Sequence, residues 1–95
     1  MKPKNSMKFP LAIYQVKGHS MEPTLYSGQR VVISRLGKGR PGNLVIFKKN
    51  AQTMVKRIEK IEGDHVMVRG DHPDSTDSRS FGSVRRSQIL GKVLF

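Results

Sequence analysis

Every apolar run in this chain is short, and each is closed off by Gly, Pro, Asn or Asp before a helical period of 3.6 residues can establish itself. The runs fall at 12–16, 30–34, 44–48, 53–61, 65–69 and 90–94, and they are rich in Val and Ile. Branched side chains pack well on a pleated surface, so these segments are predicted strands and the chain is predicted all-β. The expected architecture is a small, coiled, antiparallel and barrel-like sheet. Glu62, Gly63, Asp64 and His65 separate two of the runs as a hairpin turn would. Gly37, Gly39, Pro41 and Gly42 mark another exposed turn. That turn lacks the Gly-Lys-Ser/Thr closure of a phosphate loop.

With 95 residues the chain has room for one compact core, and residues 1–95 read as a single domain with a basic, flexible segment at 1–11. The absence of cysteine excludes disulfides and thiolate metal sites. No stretch approaches the roughly 18–20 apolar residues that cross a bilayer. The chain is therefore expected to be cytoplasmic or peripheral at a membrane, with no transmembrane segment of its own. Lys and Arg number 18 against 7 acidic residues, a net charge of +11 that favours an anionic neighbour. An anionic membrane face fits that charge. Nucleic acid fits it less well, because the basic residues are not interleaved with aromatic stacking platforms.

The segment Gly18-His19-Ser20-Met21-Glu22-Pro23-Thr24-Leu25 places a hydroxyl where a predicted strand ends, beside a glycine that lets a substrate backbone come close. A serine hydroxyl is a weak nucleophile until a base within hydrogen-bond reach takes its proton. His19 is expected to point away from Ser20 if the segment is extended. His65 falls in a predicted turn and His72 beside Pro73, so each reads as an ordinary loop histidine, and no metal site is expected from the three.

Lys56 stands out because residues 54, 56 and 58 of a strand share one face, and its companions there are Met54 and Ile58. An ammonium on a buried face loses charge readily and can serve as a general base near neutral pH. Arg57 is then expected to point outward into solvent. The polar stretch Gly70-Asp71-His72-Pro73-Asp74-Ser75-Thr76-Asp77-Ser78-Arg79 does not match a calcium loop. It reads instead as a loop beside the catalytic pair, in which Ser75 orients the lysine amine. Asp77 or Asp71, paired with Arg79, would brace it.

Three segments in order resemble the boxes of the signal peptidase I family: Ser20-Met21-Glu22-Pro23-Thr24-Leu25; Val55-Lys56-Arg57-Ile58 with Gly63-Asp64 after it; and Gly70-Asp71 through Ser75, Asp77-Ser78-Arg79 and Gly82. The resemblance implies a signal peptidase catalytic core that removes a leader or signal peptide from a precursor protein without a cofactor. It also implies small residues near the scissile bond. Ser20 would be the nucleophile and Lys56 the base, with Ser75, Asp77, Arg79 and Asp71 in support. Gly18, Met21 and Pro23 would line the substrate and oxyanion side, where the Ser20 amide donates to the oxyanion. Gly18 departs from the family, many bacterial members of which carry a serine there.

Anchor-less relatives with the same chemistry include the maturation peptidase of nickel superoxide dismutase, whose Asp-Ser-Thr-Asp-Ser-Arg-like loop this chain resembles. The self-cleaving repressor family shares the Ser-Met pair but not the Pro-Thr-Leu continuation. A basic β-domain that binds nucleic acid is the non-enzymatic alternative, and it leaves the three segments without a role.

Overall fold

The computed structural model describes residues 10–75 and 82–95. They form one antiparallel sheet of seven strands: β1 (Leu11–Gln15), β2 (Arg30–Ser34), β3 (Leu44–Lys49), β4 (Gln52–Glu62), β5 (His65–Arg69), β6 (Val84–Arg85) and β7 (Ile89–Val93). The spatial order is β1-β2-β7-β3-β4-β5-β6, so the sheet has two edges and does not close into a barrel. The predicted runs all become strands. β6 has only two residues and leaves no alternation in the sequence to find it by.

The hairpins follow from turn chemistry. β3 and β4 pair from Leu44↔Arg57 to Lys49↔Gln52, and only Asn50 and Ala51 connect them, at φ 53° and 66°. Two left-handed residues match the twist of the flanking strands. β4 and β5 turn through Gly63, at φ 59°, and Asp64, leaving His65 as the first residue of β5 opposite Glu62. A bulge between Ile58 and Lys60 bends β4 midway along its length.

Because cross-strand partners share a face, the registers sort the apolar side chains into two cores. One contains Val16, Met21, Leu25, Val31, Ile33, Ile46 and Val55. The other contains Val45, Phe47, Ile58, Val66, Val68, Val84 and Ile89. Each fully buried side chain of this kind contributes about 1.5–3 kcal/mol. The row Leu11, Ser34, Lys92, Val45 and Lys56 runs across five strands on the second face, with Lys56 opposite Val45. Among the described residues no helix is long and apolar enough to cross a membrane.

Candidate functional site

The chain leaves β1 at Gln15, but the ladder continues for one more step through Val16 N–H to the Gln29 carbonyl (2.8 Å) and Gly28 N–H to the Val16 carbonyl (2.7 Å). Residues 17–27 form the loop between these anchors. Gly18 has φ 79°, and a Cβ there would meet no protein atom within 4 Å. Glycine is required by the backbone conformation, and the space beside it is open. Met21, 1% exposed, and Leu25 plug the first core on the far side of Ser20. Met21 thus anchors the turn by packing. Pro23 follows a cis peptide bond and is exposed.

Ser20 lines a cleft of about 260 Å³ together with His19, His72, Asp74 and Ser75. Its carbonyl accepts a hydrogen bond from the His72 amide at 2.9 Å, and the Ser75 amide donates to the His72 carbonyl at 3.0 Å. Gly70 sits beneath both serines: a Cβ on it would collide with the Ser75 side chain and lie 2.5 Å from the Ser20 carbonyl oxygen. The close approach brings Ser20 and Ser75 together. Asp77 and Arg79 lie outside the described residues.

Lys56 is 3% exposed, the one charged side chain buried among the described residues. Met54 and Ile58, its companions on the strand face, pack in the second core as their spacing implied. No buried side-chain polar atom among the described residues lacks a hydrogen-bond partner.

Arg57 does not point into solvent as expected. Its guanidinium donates from Nε and Nη2 to the two Asp71 oxygens at 2.8 and 2.7 Å, and from Nη1 to the Gly42 carbonyl at 2.6 Å. Thr24 Oγ1 donates to Asp71 at 2.5 Å. A planar fork matches a carboxylate, so the pair is bidentate. The hydrogen bonds from Arg57 are the main reason the Asp71 carboxyl lies below its ordinary pKa; partial burial opposes them, and Thr24 and Arg69 add to the lowering. Arg57 is raised in turn, chiefly by its bond to Asp71. The neighbour of Lys56 is thereby tied to the loop that holds Ser20. The sequence suggests Arg79 as a partner for Asp77 or Asp71 and does not show this link. The adjacency of Arg57 to Lys56 and of Asp71 to Gly70 was its only signal.

His19 and His72 both wall the Ser20 cleft; the segment 18–25 is a turn and not extended, so His19 is not carried to the face opposite Ser20. His72 Nδ1 accepts from the Asp74 amide at 3.1 Å, which leaves the proton of the neutral ring on Nε2. That tautomer has no lone pair on Nε2 with which to deprotonate Ser20. His19 Nδ1 meets Glu22 at 2.5 Å and its side chain is 75% exposed.

Gly18 lines a second groove of about 580 Å³ together with Tyr14, Lys17, Ala51, Gln52, Thr53 and Met54. Tyr14 Oη reaches the Thr53 carbonyl at 3.3 Å across it, and burial raises the pKa of that phenol. β5 covers β4 only over Arg57–Glu62, so residues 52–55 have no strand on that side among the described residues. β1 is likewise an edge.

The family described as Peptidase S24-like matches residues 3–94. Signal peptidase IB of Staphylococcus aureus is 38% identical over 69 residues, covering 67% of this chain and 36% of that protein. The mitochondrial ATP-independent inner membrane protease subunit 1b of Arabidopsis thaliana is 32% identical over 109 residues, covering 82% of this chain and 64% of that protein. The chain thus spans about a third of the signal peptidase it matches.

Proposed function

Because the chain belongs to the Peptidase S24-like family, we propose that it is a serine endopeptidase in which Ser20 attacks and Lys56 is the base, and that its substrate is a precursor protein carrying an N-terminal leader. The observation that carries this reading is the burial of Lys56 to 3% exposure on a strand whose next residue is clamped to Asp71, which also holds Thr24 of the nucleophile loop. Burial makes an ammonium costly, which is the condition under which a lysine amine can serve as a base near neutral pH. The relatives named as signal peptidases support the substrate class.

In the proposed reaction the Lys56 amine takes the Ser20 hydroxyl proton as Oγ adds to the scissile carbonyl. The Ser20 amide donates to the developing oxyanion. Collapse breaks the C–N bond, and the Lys56 ammonium returns the proton to the leaving amine, which gives an acyl-enzyme on Ser20. Water then adds to the acyl carbon as the same lysine takes its proton, and collapse breaks the ester C–O bond with that proton passed to Ser20 Oγ, which releases the acid and restores the neutral amine. Ser75 would orient the amine through its hydroxyl. The substrate would lie extended in the groove between the β1 edge and residues 52–55 of β4, where exposed backbone groups can pair with it as with an added strand.

A second reading rests on the His19–Glu22 contact, which has the form of an imidazole oriented by a carboxylate. It makes His19 the base in place of Lys56. Labelling with a serine-reactive acylating probe followed by peptide mapping tests both readings at the nucleophile. Modification at Ser20, absent in Lys56→Met and retained in His19→Ala, is the expected result. Retention in Lys56→Met with loss in His19→Ala would reverse the assignment.

A further inference from the structure

In an antiparallel pair every second residue of a strand turns its N–H and C=O toward its partner, and the residues between turn theirs away. Lys49 and Gln52 close the two-residue turn as a bonded pair, so Thr53 and Val55 direct their backbone groups to the open edge of β4. The phenol of Tyr14 meets the Thr53 carbonyl on that edge. On β1 the Pro10 and Val16 carbonyls bond the β2 side, through Arg35 N–H and Gly28 N–H, which leaves Ile13 and Gln15 facing the other way. The groove between these edges continues past β1 along Lys17 and Gly18.

Lys17 is the one charged side chain lining that groove among the described residues, and Tyr14, Gln52, Thr53 and Met54 around it are neutral. The ion pairs of the described residues belong to His19, Arg57, Lys60, Arg69 and Arg85, and Lys17 takes part in none of them. A carboxylate laid in the groove therefore gains an ammonium as partner, and a cation there meets a like charge. Lys17 precedes Ser20 by three residues, at most about 10 Å of chain, and a substrate strand advances about 3.3 Å per residue. The side chain it reaches belongs to one of about four residues nearest the scissile bond.

Given the reaction proposed for Ser20 and Lys56, on which this assignment rests, the leaving amine takes its proton beside Ser75, which lines the smaller cleft with Ser20. The leaving chain then falls in that cleft and the leader in the groove. We infer that Lys17 is a specificity residue that selects precursors with Asp or Glu at one position among about the last four residues of the leader.

Internally quenched peptides with alanine around the bond, carrying Asp, Asn or Lys at each position on either side in turn, are the probe, with mass spectrometry to locate the cut. In kcat/KM for the parent chain, Asp should exceed Asn about threefold and Lys about tenfold at one position before the bond. Its immediate neighbours should show no such order, because their side chains leave from the other face of the strand. Lys17→Arg should keep the order, Lys17→Gln should level it and Lys17→Glu should invert it. Lys60→Gln, which removes equal charge toward the far end of β4, should leave it unchanged. Cleavage with no order at any position, an order that survives Lys17→Gln, or one that falls after the bond would overturn the proposal and leave the role of Ser20 untouched. Binding of fluorescein-labelled versions of the same peptides to the Ser20→Ala chain reads the groove without cleavage. The same order there, with no cleavage by the parent, would retain the selection by Lys17 and overturn the Ser20 reaction instead. No order in either assay would overturn the selection.

Discussion

Asp71 accepts both arms of the Arg57 guanidinium, at 2.8 and 2.7 Å, and so ties strand β4 to the loop whose His72 amide holds the Ser20 carbonyl. One ion pair and its hydrogen bond to Thr24 link the three segments of the proposed site: Thr24 from the Ser20 loop, Arg57 from the Lys56 strand and Asp71 from the polar loop. Its placement makes the geometry of the site depend on a charge that is not itself part of the proposed reaction.

Removing that charge should have a pH signature. The carboxyl of Asp71 has a lowered pKa in the fold, so its contribution is fully present above the ordinary value of 3.8 and fades as pH falls below it, through the folded value. Asp71→Asn is expected to destabilise the domain by about 1–3 kcal/mol near pH 7. The gap from the parent should narrow in the acid range below pH 3.8. Thermal melts of both proteins across pH check this; a gap that stays constant to the lowest pH would remove the ion pair as its source.

Lysine chemistry and histidine chemistry predict opposite outcomes for a short set of variants. Ser20→Ala and Lys56→Met are each expected to lower kcat/KM for a peptide substrate by roughly 10³-fold or more. Lys56→Arg should be equally inactive, because a guanidinium does not deprotonate in this range. His19→Ala should keep activity within about tenfold of the parent, since the exposed imidazole then serves only the cleft wall. Steady-state kinetics with circular dichroism on each variant separates lost chemistry from lost folding.

Gly70 is expected to be intolerant of even one methyl group. The Cβ of an alanine would press on the Ser75 side chain, whose amide is held by the His72 carbonyl, and on the Ser20 carbonyl oxygen, which accepts from the His72 amide. Overpacking of this kind costs about 1–3 kcal/mol. The strain falls on the site, so kcat should drop by a larger factor than the melting temperature alone would suggest. Turnover at full rate in Gly70→Ala would show that the serines do not need this approach.

The β3–β4 turn offers the opposite opportunity. Ala51 holds φ 66°, where an L side chain crowds the following carbonyl. Ala51→Gly removes that cost, against a smaller loss from added freedom in the unfolded chain, for a net gain of about 0.5–1 kcal/mol. A rise of several degrees in melting temperature is the expected readout. A lower melting temperature would mean that the Ala51 methyl group makes packing contacts worth more than the strain.

By itself the sequence determined what depends on local period and local chemistry. Short apolar runs rich in Val and Ile specified the strands, and Gly63 with Asp64 specified a hairpin. The placement of Lys56 on the face of Met54 and Ile58 followed from alternation alone. Three ordered segments carry the family resemblance on which the proposed Ser20 and Lys56 chemistry rests. Tertiary structure decided what depends on which strands become neighbours. The partner of Arg57 could not be read from its strand position, because alternation says which way a side chain leaves the backbone and not what a distant loop brings to meet it. Met21 became a core plug for the same reason, and His19 and His72 became walls of the Ser20 cleft. That the sheet stays open between β1 and β6 has a similar cause, since only pairing over long sequence separations reveals where a sheet ends.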